Sequence, residues 1–96
     1  MADESNPPAI DLLLGDDDME LRSDIASYLA GRGYRVEACG DGEEALALAD
    51  RRAFDVAVLD IAMPGLSGIE VLRRLKLRGA ECEVVMLTGE GTIETA

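Results

Sequence analysis

The sequence contains no histidine and no tryptophan, and only two cysteines, Cys39 and Cys82, among 96 residues. Without histidine a Cys/His zinc site is excluded, and two cysteines this far apart match no metal-ligand spacing. Both read as small residues near strand ends that carry free thiols. Positive charge is also scarce. Nine Lys and Arg stand against twenty Asp and Glu, giving a formal net charge of −11. So acidic a surface repels phosphate backbones, which argues against direct nucleic-acid contact by this segment. No apolar run approaches membrane-spanning length, and the N-terminus lacks a basic-then-apolar signal pattern. The cytoplasm is the expected location. Apolar residues are plentiful, at 48%, which suits one small domain and leaves no room for two.

Met1 to Ala9 is polar with two prolines and is expected to be a loose lead-in, with the domain running from residue 10 to residue 96. Ile10 to Leu14 reads as a buried strand closed by Gly15. Leu21, Ile25, Tyr28 and Leu29 recur at helical spacing and predict the inward stripe of a first helix, stopped by Gly31 and Gly33. Tyr34, Val36 and Ala38 alternate with Arg35 and Glu37, as in an edge strand. Asp41 and Glu44 are spaced as a helix N-cap pair, with Ala45, Leu48 and Ala49 behind them. Val56 to Leu59 forms a short apolar run, as in a strand covered on both faces. Ser67 and Glu70 open a third helix, with Ile69, Leu72 and Leu75 predicted inward and Arg73, Arg74, Lys76 and Arg78 mostly outward. Val84 to Leu87 predicts a fourth strand, and Thr92 to Ala96 the start of a fourth helix. The order β-α-β-α-β-α-β, with crossovers of this length, predicts an α/β doubly wound parallel sheet in the order 2-1-3-4.

That topology gathers chemistry. Asp16 and Asp17 end the first strand, Asp60 the third and Thr88 the fourth. In such a sheet the first and third strands are neighbours, and their carboxyl ends form the ligand crevice. Three crowded carboxylates raise one another's pKa, and a hard divalent cation relieves them. Magnesium prefers oxygen ligands and takes one or two carboxylates plus a phosphate. Asp60 is then a candidate nucleophile toward phosphorus, giving an acyl phosphate. Thr88 would offer its hydroxyl to the phosphoryl oxygens. Asp18, at the start of the first helix, reads as a cap.

The stretches LLLGDDDMELR, VAVLDIAMPGLSGIEVLRRLK and VVMLTGEGT resemble the response-regulator receiver domain of two-component signalling, over nearly all of the chain from Ile10. The resemblance implies a flavodoxin-like sheet with Asp60 as phosphoacceptor. It implies Mg2+ held by Asp17 directly, by Asp16 largely through water, by Asp60, and by the backbone carbonyl of Ala62. It implies Thr88 as the switch hydroxyl, and Pro64 and Gly68 in the loop that shapes the site. It also implies a phosphohistidine on a sensor histidine kinase as the phosphoryl source, and a regulatory switch rather than an enzyme. The family's lysine at the end of a fifth strand has no match before Ala96, and Lys76 lies in the third helix. The expectation is a receiver incomplete at its C-terminus, its fifth βα unit missing. Its fourth strand would be an apolar edge open to self-association with a second copy. Ala62 has no polar side chain to orient water, so an acyl phosphate of ordinary or longer lifetime is expected. Two other readings stand beside this one. A magnesium-dependent phosphatase with an aspartyl nucleophile would want a second acid where Ala62 stands. A degenerate receiver would bind partners without phosphorylation.

Overall fold

The computed structural model describes residues 9–87 and the backbone of residues 93–95. Within them the elements run β1 (Asp11–Gly15), α1 (Met19–Gly31), β2 (Arg35–Cys39), α2 (Gly42–Arg51), β3 (Val56–Asp60), α3 (Gly68–Leu77), β4 (Glu83–Leu87) and β5 (Ile93–Thr95). The sheet order is β2-β1-β3-β4-β5. The first four strands are mutually parallel, in the predicted order 2-1-3-4.

Each helix begins where a short polar side chain can replace a missing backbone partner. Asp18 accepts from the Leu21 N–H, Asp41 from the Glu44 N–H and Ser67 from the Glu70 N–H, each capping one otherwise orphaned donor. The glutamates three residues after the last two caps, Glu44 and Glu70, bond elsewhere than to those caps. Glu44 accepts from the Gly40 N–H at 3.2 Å, and Glu70 turns instead to Arg73 and Arg74.

The main core lies between the sheet and the pair α2–α3. Leu13, Ala57, Leu59 and Val84 from the strands meet Ala45, Leu46, Val71 and Leu75 from the helices. Cys39 and Cys82 are buried free thiols within it. Leu12 and Leu14 are buried on the opposite sheet face, the side of alternation that β-structure imposes.

Four sequence expectations need correction. Leu21 and Tyr28 are exposed, Tyr28 at 66%; α1 rests on β1 and β2 through half-buried Ile25 and Leu29, so its apolar stripe is wider than its seat. In α3 the inward pair is Val71 and Leu75, four residues apart, whereas Ile69 is 54% exposed. Ile93–Thr95 is a strand and not a helix start. An open strand edge supplies ladder partners to a segment whose Ile93 and Thr95 are β-branched. β5 therefore pairs antiparallel with β4, Val85 opposite Thr95 and Leu87 opposite Ile93. The bare fourth-strand edge on which self-association was expected is thus occupied along Val85–Leu87 by the chain itself.

Candidate functional site

The acids meet because of register. Gly15 on β1 stands opposite Leu59 on β3, and Asp60 opposite Leu87 on β4. The next residue along β1 is Asp16, so its carboxylate arrives beside Asp60 at the carboxyl edge of the sheet. One carboxylate oxygen from each of Asp16, Asp17 and Asp60 lies within 4.8 Å of the others. Two oxygens on one magnesium stand about 3–4 Å apart, given a metal–oxygen distance of about 2.1 Å. The trio therefore needs only small side-chain adjustments to share a cation.

The three acids differ in setting. Asp16 is 2% exposed; its Oδ1 accepts from the Asp18 N–H at 2.9 Å, and its own N–H donates to the Cys39 carbonyl at 3.1 Å. Asp17 is exposed, and Asp60 is half-buried. Desolvation pushes the Asp60 carboxyl above the ordinary aspartate range. The charges of Asp16 and Asp17 add to that, while the Ala62 N–H opposes it. That N–H donates to Asp60 Oδ1 at 3.2 Å and fixes the carboxylate against its own loop.

The loop after Asp60 is tied at both ends. The Ile61 N–H donates to the Leu87 carbonyl and the Gly68 N–H to the Ile61 carbonyl, each at 3.0 Å. A Cβ on Gly68 would stand 2.3 Å from the Asp60 carbonyl oxygen, so only glycine lets α3 start this close. Gly65 turns the loop with φ of 72°, and Pro64 and Ala62 are exposed along it. Asp18 is the cap that the sequence suggested. Thr88 lies outside the described residues; it follows Leu87, the last residue of β4.

Sequence patterns do not mark Arg22. Its guanidinium reaches back from α1 to donate to the Asp16 carbonyl at 2.8 Å, holding the β1 end from behind. One cation on a helix gives no periodic signal, so only the fold reveals this contact. A cavity of about 390 Å³ lies at the other end of the sheet, by Leu13, Phe54, Leu75 and Cys82. Two of its rim arginines are already engaged, Arg78 with Asp50 and Arg52 with Asp11 and Glu37. Its arginines Arg51, Arg52 and Arg78 stand with the acids Asp50 and Glu81, so its charge is mixed, unlike that of the acidic trio.

Comparison with known proteins matches residues 12–96 to the response regulator receiver domain. The chain belongs to this family. It is 43% identical over 79 residues to the transcriptional activator protein PfeR of Pseudomonas aeruginosa, a match covering 82% of this chain and 26% of PfeR. This receiver therefore spans about a quarter of that relative's length. Among solved structures it is similar to the chemotaxis response regulator CheY4 of Vibrio cholerae, with TM-score 0.83 and 32% identity over 88% of this chain and 72% of that one. It is similar also to the response regulator TrrA of Thermotoga maritima in complex with Mg2+-BeF, with TM-score 0.78 and 32% identity over 82% of this chain and 69% of that one. No helix among the described residues of the receiver is long and apolar enough to cross a membrane.

Proposed function

We propose that this receiver accepts a phosphoryl group on Asp60 from a sensor histidine kinase and passes the change to an output. The observation that carries the reading is the convergence of Asp16, Asp17 and Asp60 within 4.8 Å, at the edge where open α/β sheets bind ligands. In the transfer, an Asp60 carboxylate oxygen forms a bond to phosphorus. The phosphorus–nitrogen bond of the donor phosphohistidine breaks, and its electron pair returns to the imidazole. Asp17, Asp60, the Ala62 carbonyl and, through water, Asp16 would hold Mg2+. The donor set fits: all-oxygen, acidic and half-open to solvent. Bound magnesium supplies neutralisation of charge on the transferring phosphoryl oxygens. Asp60 meanwhile is held in place through the Ala62 N–H, and its partial desolvation strengthens the local electrostatics. Thr88 supplies a hydroxyl to the phosphoryl group in this reading. The Mg2+-BeF complex of TrrA, a protein 32% identical, supports Mg2+ binding here.

A phosphatase would need a second acid two residues after Asp60 to protonate a leaving group. That position is Ala62, so the reading is of a switch that is not an enzyme in its own right. Likeness to a transcriptional activator favours transcription as the regulated output.

Intact-mass measurement after incubation with acetyl phosphate and magnesium tests the proposal. One added base-labile phosphoryl group is expected on the wild type and none on Asp60→Asn. Addition to both would move the acceptor elsewhere. Addition to neither, with magnesium binding intact, would favour a receiver that works through binding alone.

A further inference from the structure

The corner between β2 and α2, residues 39–44, touches both arms of the acidic site. On one side the Cys39 carbonyl accepts from the Asp16 N–H at 3.1 Å. The Arg22 guanidinium that holds the Asp16 carbonyl also lies against Gly40, where a Cβ would sit 2.9 Å from Nη1. On the other side Gly42 is buried against the loop that follows Asp60. A Cβ on Gly42 would stand 2.2 Å from the Leu66 carbonyl oxygen and 2.7 Å from the Leu66 Cβ. Bonded geometry aside, carbon and oxygen do not approach so closely. The obstacle is backbone, which cannot swing away as a side-chain tip could. Gly42 has no positive φ, so the contact and not the backbone conformation demands glycine here. Gly42 meets the loop near its end, at Leu66, while Gly68 seats the following helix on Asp60. The stretch that carries Ala62 is therefore held between two bare backbone contacts.

We infer that Gly42 is a positioning residue for the acidic site: its bare Cα seats α2 on Leu66 and thereby sets where the loop bearing Ala62 stands relative to Asp60 and the β1 acids. The inference rests on the magnesium-dependent reading above. It adds that cation binding and the seating of α2 are linked, although the acidic cluster of Asp16, Asp17 and Asp60 includes no residue of α2. Residues that support metal ligands from behind influence affinity in this way, because the ligands need fixed relative positions.

The test follows backbone amide NMR shifts through a magnesium titration of the chain. It compares wild type, Gly42→Ala, and Gly31→Ala at a position with open space around it. Gly42→Ala is expected to keep a dispersed amide spectrum and to bind magnesium about 10- to 100-fold more weakly. Gly31→Ala is expected to match wild type. A folded Gly42→Ala chain with wild-type affinity overturns the inference. Should Gly42→Ala fail to fold, the wild-type titration decides. Shifts at the Gly42 and Leu66 amides in step with Asp17 and Ala62 support the inference, and shifts confined to the acids and Ala62 overturn it. A wild-type chain with no response to magnesium fails on the reading of the acids themselves, and the positioning role falls with it.

Discussion

At Asp60, burial and the charges of Asp16 and Asp17 all oppose ionisation, and the Ala62 N–H only partly offsets them. The folded chain therefore holds a proton on Asp60 more tightly than the unfolded chain does. By linkage, that carboxyl costs the fold stability as pH rises through its raised titration range, and costs nothing below the ordinary aspartate value of about 3.9. Asp60→Asn, measured without divalent cations, is expected to melt a few degrees higher than wild type at neutral pH. The gap should close as pH falls below the ordinary aspartate range. A variant that melts lower at neutral pH would mean that Asp60 is stabilised where it stands. The same scale shows what sequence can reveal. Asp16, Asp17 and Asp60 are legible because each is a charge at the end of an apolar run. Arg22 and Gly42 are not, because what matters is an approach to backbone from a distant element. Cys39 is legible only as bland, and it remains so. Burial, with Glu44 and Asp41 nearby, pushes its thiol up to about 12.

Among the elements, the first four strands and the three helix starts followed from local chemistry, and the faces of α1 and α3 did not. The caps Asp18, Asp41 and Ser67 each do what their type and spacing predict, because capping depends on a few adjacent atoms. Which side of a helix faces inward depends on what lies beneath it. For α3 the capped start at Ser67 fixes the phase, placing Val71 and Leu75 on the sheet and turning Ile69 toward solvent. Counting from Ile69 misplaces the stripe because apolar residues occur on both sides of this helix. Val71 is fully buried, at 0% exposure, so Val71→Ala leaves a hole beside Leu75 and is expected to cost about 1–3 kcal/mol. Ile69→Ala removes mostly solvated surface and is expected to stay within about 0.5 kcal/mol of wild type. Urea unfolding of both variants measures the contrast; equal losses would place Ile69 in the core after all. The β5 pairing with β4 likewise escapes local reading. Ile93–Thr95 has no pattern of its own, and the edge it fills belongs to an element several residues away.

For the whole molecule, the net charge of −11 makes compaction work against self-repulsion, and three of the carboxylates are gathered at one sheet edge. Two effects of added cations then separate by scale. Monovalent salt screens the general field with a Debye length of about 10 Å at 0.1 M, and is expected to raise the melting temperature modestly in every variant. Magnesium adds a local term, because a cation that binds only the folded state stabilises it by RT ln(1 + c/Kd), with c the free magnesium concentration. That is about 2.7 kcal/mol at a hundredfold excess over Kd, on the order of 10 °C for a domain of this size. At matched ionic strength, magnesium is expected to raise the melting temperature well beyond sodium chloride in the wild type, and a chelator should reverse the gain. Asp17 is exposed, so Asp17→Asn should fold normally, keep the response to sodium chloride and lose the extra response to magnesium. Equal responses to the two salts in wild type would reduce the acidic edge to general repulsion. An intact magnesium response in Asp17→Asn would assign the cation to other oxygens. The expected pattern makes one cluster both an electrostatic strain on the fold and the place where a bound cation relieves it.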